Sequence, residues 1–240
     1  VADPGNHHRS VWLDADLDGD PDLWVTGFMS NRLFYVNNGD GTFTEAATLE
    51  MASPFTNFAS VAGDFDNDGR IDLLAAANSP GGDMFGPGGE VLWEPHGLLM
   101  NRYPDGFEAA AVKTGLSDPD WAELPTPTMG LQLGDLDGDG WFEVVFGHGN
   151  PFSDGNVENQ LFSAIPDPTI GLRWVDRSDL IHQPAVVPDD VDVHDYPYRS
   201  HGMVIFDYDN DGDEDLVIGN GGFYDDQREP NRLFRNDTPC

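Results

Sequence analysis

An all-β chain is expected from these 240 residues, specifically a β-propeller built of four-stranded antiparallel blades, with four repeats visible. Three features lead there. A nine-residue acidic phrase recurs four times, short apolar runs bracket every copy, and the copies are spaced as blades are.

The phrase reads Asp14-Ala-Asp-Leu-Asp-Gly-Asp-Pro-Asp22, Asp64-Phe-Asp-Asn-Asp-Gly-Arg-Ile-Asp72, Asp135-Leu-Asp-Gly-Asp-Gly-Trp-Phe-Glu143 and Asp207-Tyr-Asp-Asn-Asp-Gly-Asp-Glu-Asp215. Acids fall at positions 1, 3, 5 and 9, with Gly at position 6. Carboxylates at alternate residues, followed by a glycine free to take φ > 0, let a short loop curl until its oxygens converge on a hard cation, Ca²⁺ above all. The acids assigned to the ion are Asp14, Asp16, Asp18 and Asp22; Asp64, Asp66, Asp68 and Asp72; Asp135, Asp137, Asp139 and Glu143; Asp207, Asp209, Asp211 and Asp215. Position 7 (Asp20, Arg70, Trp141, Asp213) adds its carbonyl, and about four Ca²⁺ per chain are expected.

Electrostatics supports the assignment. Two unit charges about 4 Å apart at an effective dielectric near 20 repel by roughly 4 kcal/mol, which several such pairs per loop would multiply against a domain stability of about 5–15 kcal/mol. A divalent ion turns that repulsion into coordination. An EF-hand opens in the same way but needs a bidentate Glu at position 12. Here position 12 holds Val25, Ala75, Phe146 and Ile218, so the acid at position 9 closes each loop instead.

The flanks read as strands. Ser10-Val-Trp-Leu13, Ser60-Val-Ala62, Gly130-Leu-Gln-Leu133 and Gly202-Met-Val-Ile-Phe206 precede the loops, and Leu23-Trp-Val25, Leu73-Leu-Ala75, Val144-Val-Phe146 and Leu216-Val-Ile218 follow them. Such runs, bounded by Gly and Asp, are buried strands, which places Trp12 and Trp24 in the core. Third strands are expected at Asn31-Arg-Leu-Phe-Tyr-Val36, Leu99-Met-Asn-Arg-Tyr103, Asn159-Gln-Leu-Phe162 and Asn231-Arg-Leu-Phe-Arg235. Asn37-Asn-Gly-Asp-Gly-Thr-Phe43 carries the Asn-Gly and Asp-Gly chemistry of a tight turn into a fourth strand, Thr42 to Ala46, and Pro104-Asp-Gly-Phe107 is a weaker copy. The first aspartates stand 50, 71 and 72 residues apart. That spacing gives a single propeller with repeats at about 8–50, 58–116, 128–180 and 200–240, the surplus in the second and third being loops.

The four loops, the Asn-Arg-Leu-Phe strands at 31–34 and 231–234 and the turn at 37–43 resemble the FG-GAP/VCBS repeats of the integrin α-subunit head, and in particular the bacterial kind found with UnbV-like or cartilage-acidic-protein-like modules. The resemblance covers most of the chain. It implies Ca²⁺ held at one rim of a ring by loops joining the first and second strands of each blade. Three departures stand out: Arg70 at position 7, Glu143 in place of Asp, and only Phe85-Gly-Pro-Gly-Gly89 as an echo of the literal Phe-Gly…Gly-Ala-Pro string. Family rings have about seven blades, whereas the fourth repeat here stops at its third strand, and Val1 to Asn6 is a poor substitute because Pro4-Gly5 interrupts it. The ring is therefore unusual, incomplete, or completed by association with another chain.

Composition excludes some partners. Forty-four acids against eleven bases give a net charge of −33, which argues against nucleic acid and anionic membrane surfaces. No apolar stretch approaches the length of a membrane span and no signal peptide stands at Val1. Cys240 permits no intrachain disulfide. Loops that need abundant calcium fit a secreted protein, extracellular or periplasmic.

Two functional classes follow. The first is a calcium-stabilised adhesion, scaffolding or ligand-binding module whose partner is an extracellular protein or a carbohydrate. Its sugar-stacking candidates are Trp93, Trp121 and Trp141, and its display loops are Asn78 to Trp93 and His182 to Tyr198. The second is a secreted enzyme acting on polysaccharide or carrying a redox metal, with His8 and His201, each six residues before a loop, as channel-facing candidates. An open pocket holding a strongly perturbed acid or histidine outside the loops separates the two.

Overall fold

The structure, a computed structural model, describes residues 7–27, 33–46, 59–77, 96–117, 128–149, 158–181, 200–221 and 231–237. Among them the chain is all-β apart from one 3₁₀ turn, Ser178–Leu180. The first sheet contains β1 (His7–Leu13), β2 (Asp22–Gly27), β3 (Leu33–Asn37) and β4 (Phe43–Ala46) in that order. The second contains β5 (Ala59–Gly63), β6 (Asp72–Ala76), β7 (Gly97–Asn101) and β8 (Phe107–Ala109), and the third β9 (Thr128–Gly134), β10 (Glu143–His148), β11 (Gln160–Asp167) and β12 (Gly171–Asp176). The fourth has three described strands, β13 (Ser200–Phe206), β14 (Asp215–Asn220) and β15 (Arg232–Phe234). Every neighbouring pair with a recorded register is antiparallel and sequential, as in the blades of a propeller.

Two compact units are present, one built mainly on the first two sheets and the other on the last two. Each unit is organised by the two-residue period of its strands. In blade 1, one face carries Val11, Leu13, Trp24 and Phe34, and these pack with Ala62, Leu73, Ala75 and Leu99 of blade 2. The contact includes an edge-on ring pair, Phe34 with Phe107, centroids 5.9 Å apart. In the other unit, Val145 and Leu161 of blade 3 pack with Met203, Ile205, Leu216, Ile218 and Phe234 of blade 4. The same strand positions meet in both units, so blade-to-blade packing is one repeated interface. At Gly130 and Gly134 a Cβ would lie 2.9 Å from the His201 carbonyl and 2.6 Å from Ile205 Cγ2, so glycine there lets β13 approach β9.

The structure corrects three expectations. Trp24 is fully buried, but Trp12, on the opposite face of the first sheet, is 56% exposed, its ring tilted against that of Phe43 with centroids 6.1 Å apart. The third strand of blade 2 is Gly97–Asn101, two residues earlier than Leu99 to Tyr103. The two Asn-Arg-Leu-Phe strings are out of step: Leu33 lies opposite Val25 at position 12, whereas Leu233 lies opposite Val217 at position 11. A one-residue slip turns each side chain to the other face. Leu33 is buried and Leu233 47% exposed, while Phe34, which like Leu233 lies opposite position 11, is buried.

The Asn78–Trp93 and His182–Tyr198 inserts, Trp121, Val1 to Asn6, Asn31 and Cys240 lie outside the described residues. His8 is exposed on β1 and His201 half-buried on β13. No described helix is long and apolar enough to cross a membrane.

Candidate metal centre

Each acidic loop joins the first and second strands of its blade, and its shape comes from hydrogen bonds within it. The position-1 carboxylate accepts from the N–H groups at positions 5 and 6: Asp14 from Asp18 and Gly19 (3.1 and 3.0 Å), Asp64 from Asp68 and Gly69 (3.0 and 2.8 Å), and Asp207 from Asp211 and Gly212 (both 3.1 Å). Asp135 accepts from Gly140 at 3.0 Å. The position-5 carboxylate accepts from the position-7 N–H, which is Asp20 on Asp18, Arg70 on Asp68, Trp141 on Asp139 and Asp213 on Asp211.

Two left-handed residues make the curl. The position-6 glycines have φ between 86° and 103°, and position 4 is also left-handed, with Leu17 at 60°, Asn67 at 54°, Gly138 at 71° and Asn210 at 63°. Position 4 was not legible as special. Asn and Gly accept that conformation readily, but Leu17 does so at a cost.

The position-9 acid is buried in all four loops. Asp22 accepts from the N–H groups of Ala15 (3.0 Å) and Asn37 (2.8 Å), Asp72 from those of Phe65 (2.9 Å) and Asn101 (2.7 Å), and Asp215 from those of Tyr208 and Asn236 (both 2.8 Å). Glu143 accepts from the Leu136 N–H at 2.7 Å. Each such acid thus staples its loop, and in three blades it also staples the end of the third strand. Burial pushes Asp72 and Glu143 up to about 7, against the downward pull of their hydrogen bonds. Burial, with neighbouring carboxylates, also raises Asp16 and Asp137.

Sequence reasoning missed a second tier of residues. The Asn101 and Asn236 side chains donate to the position-2 carbonyls of the preceding loops, Ala15 at 2.9 Å and Leu136. Arg102 reaches Asp66 (3.0 Å) and Asp68 (3.1 Å), Arg70 also pairs with Asp68, and Arg235 reaches Asp209 (3.1 Å) and Asp211 (3.5 Å). The Asn101-Arg102 and Arg235-Asn236 pairs at the third-strand ends were the available signal.

Carboxylate oxygens from Asp14, Asp16 and Asp18, from Asp64, Asp66 and Asp72, from Asp135, Asp137 and Glu143, and from Asp207, Asp209 and Asp215 come within 4.8 Å of one another in each group. Asp16, Asp66, Asp135 and Asp209 each keep one buried Oδ1 with no hydrogen-bond partner. A buried acceptor left in that state needs a donor or a cation. All-oxygen donors at this spacing fit a hard divalent ion of the Ca²⁺ type. At position 7, Asp20 and Asp213 do not join the converging carboxylates, and the backbone N–H groups of Asp20, Arg70, Trp141 and Asp213 donate to the position-5 carboxylates.

Outside the loops, the strongest shift falls on His148, whose buried imidazole is pushed down to about 4 by desolvation. It lies 3.0 Å from Thr128 Oγ1 and 3.0 Å from Gln160 Oε1 and stacks on Phe146. An open cavity of about 380 Å³ lies beside the third loop, lined among others by Asp137, Glu143, Arg177, Asp179 and Leu180.

Residues 14–75 match the model of the FG-GAP-like repeat family, which bears out over that stretch the resemblance read from the loops. The chain is 28% identical over 212 residues to cartilage acidic protein 1 of Homo sapiens, an alignment covering 85% of this chain and 26% of that protein. It therefore spans about a quarter of the relative's length. A solved structure concerned with recognition of non-reducing terminal N-acetylglucosamine by an Agrocybe aegerita lectin aligns over 97% of this chain and 53% of that one, with 18% identity and a TM-score of 0.44.

Proposed function

We propose that this FG-GAP-repeat chain is an extracellular calcium-binding module in which four ions, one per loop, rigidify the blades for adhesion, scaffolding or ligand capture. The observation that carries the reading is the set of four buried Oδ1 atoms without hydrogen-bond partners, one in each converging acidic group. Calcium would be held by the acids at positions 1 and 3 with position 5 or 9, and by the position-7 carbonyls of Asp20, Arg70, Trp141 and Asp213. Its double charge would offset the mutual repulsion of the loop carboxylates. The chain's own residues do the rest: the position-9 acids hold the loops to the strands, and Asn101 and Asn236 tie each loop to the next blade of its unit.

The same reading places the chain outside the cytoplasm, where calcium is abundant enough to fill such loops. The enzyme alternative gains no support from His148, which is buried and hydrogen-bonded rather than open to a substrate. The partner, protein or carbohydrate, is best sought with calcium-loaded protein on glycan and extracellular-protein arrays.

Calorimetric titration of chelator-treated protein with Ca²⁺, read together with elemental analysis of the loaded form, tests the metal assignment. About four ions per chain are expected, and Asp66→Ala should remove one of them. A titration without heat and a loaded form without calcium would overturn the reading.

A further inference from the structure

One kind of residue ties the loops together in twos. Asn37, Asn101 and Asn236 share a register position, two residues beyond the partner of position 10, and the backbone N–H of each donates to the position-9 acid of its own blade. Two of the side chains do a second job. Asn101 donates to the Ala15 carbonyl of the first loop and Asn236 to the Leu136 carbonyl of the third, each contact lying within one compact unit. Those carbonyls belong to position 2, whose own N–H donates to the position-9 acid of the receiving loop, Asp22 for Ala15 and Glu143 for Leu136. Position 2 also stands between the acids at positions 1 and 3, which converge in every one of the four carboxylate groups. Hydrogen bonds therefore run unbroken from the buried acid of one loop, through an asparagine, to the ligand-bearing backbone of its neighbour.

The tie is not repeated at every blade. Blade 3 has Ala164 at the asparagine's position, with no side-chain donor, so the bridges among the described residues join the first loop with the second and the third with the fourth. In blade 1, Asn37 turns instead to the Pro21 carbonyl of its own loop. The later pair has a further brace, because Glu214, at position 8 of the fourth loop, accepts from the N–H of Asp135 in the third at 2.9 Å. An empty loop is loosened by repulsion among its carboxylates, and a cation that closes it fixes the position-9 acid together with the asparagine bonded to it. The neighbouring loop then finds its position 2 already held between two of its ligands. Order imposed at one site and shared with another is a coupling free energy, and it acts equally in both directions.

We infer that cations enter the four loops as two cooperative pairs, the first loop with the second and the third with the fourth, each pair joined through its asparagine bridge. The inference rests on the calcium sites proposed above and adds how the filling of one governs its neighbour. An ion in one loop of a pair should raise the affinity of the other about tenfold.

Titration of the chelator-treated chain with Tb³⁺, a luminescent hard cation, tests the inference. Trp141, at position 7 of the third loop, sensitises an ion bound there, and Trp141→Phe identifies its share of the signal. Asp209→Ala, which removes a ligand from the fourth loop, should weaken Tb³⁺ at the third about tenfold. In a background of Asn236→Ala with Glu214→Ala, which spares every acid of both carboxylate groups, the same substitution should change that affinity by less than about twofold. Circular dichroism checks that each variant is folded, and wild type supplies a measurement that needs none of them: its third-loop curve should be steeper than one-site binding, with a Hill coefficient of about 1.5. An undiminished third-loop affinity in Asp209→Ala, a loss that persists without the bridge, an equal loss from Asp66→Ala in the other pair, or a one-site curve for wild type would each overturn the inference. Those outcomes leave the ions bound and the calcium reading standing, whereas a chain that binds no ion would overturn both.

Discussion

Blades 2 and 3 carry the same acidic phrase but neutralise it differently. In blade 2, Arg102 bridges Asp66 and Asp68, Arg70 adds a second guanidinium on Asp68, and Asp72 is held by two backbone N–H groups. In blade 3, no guanidinium among the described residues pairs with an acid of the loop, and Glu143 is held by one backbone N–H and the Ser163 hydroxyl. The second loop brings part of its counter-charge with it through the fold, whereas the third depends on solution for all of it. Sequence repeats can share a ligand set and still differ in how strongly they require the ligand.

Chelation should have the largest effect on this contrast. Stripping calcium is expected to lower the melting temperature by about 10 °C or more, as loss of several bound ions implies for a chain of this size. Hydrogen exchange should show β9 and β10 losing protection before β5 and β6. Equal loss in both would erase the difference between the blades, and an unchanged melting temperature would remove the metal from the account.

Next come the staples. Asp72→Ala strands the N–H groups of Phe65 and Asn101 and should cost about 3–5 kcal/mol in calcium-free denaturant titrations, whereas Glu143→Ala strands a single backbone donor and should cost about 2–3 kcal/mol. A larger loss for Glu143 would reverse the ranking.

The far ends of the second strands also differ, with His148 in blade 3 where blade 2 has Ala77. Buried His148 holds its proton only below about 4, against an ordinary 6.5, so between those values the unfolded chain binds more protons. Its stabilising contribution is complete above pH 6.5 and is lost as the pH falls toward 4, up to about 3 kcal/mol. The difference in stability between wild type and His148→Gln, followed from pH 7 to 4.5, isolates this from the loop carboxylates. A flat difference would count against it.

The smallest effect on stability is expected from Arg102→Gln. The ion pairs it removes are partly exposed and should contribute less than about 1 kcal/mol, while calcium at the second loop should bind about tenfold more tightly, about 1.4 kcal/mol, once the competing charge is gone. Unchanged calcium affinity would show that Arg102 does not oppose the ion.

Much of this was legible in the chain itself. The loops, their flanking strands and the hairpin turn at 37–43 follow from spacings of a few residues, and Asn38 and Asp40 do bond Thr42 as such a turn requires. Other features were hidden. Asn-Arg-Leu-Phe occurs twice with different registers, because strand pairing, and not the four letters, decides which face of the sheet each side chain takes. Trp12 reads as core by composition, yet it is 56% exposed on the face opposite Trp24. Asp22, Asp72, Glu143 and Asp215 look like ligands, but their hydrogen bonds show them to be fasteners as well.

The amino-acid order alone settled the acidic loops, the class of ion they suit and the positions of most strands, since alternating carboxylates, a left-handed glycine and a two-residue period are local constraints. Folding decided which guanidinium meets which carboxylate, which blade face is covered and how each loop is braced. Those contacts join residues far apart in the chain, Arg102 with Asp66 across 36 positions and Asn101 with Ala15 across 86, and no local pattern specifies such meetings.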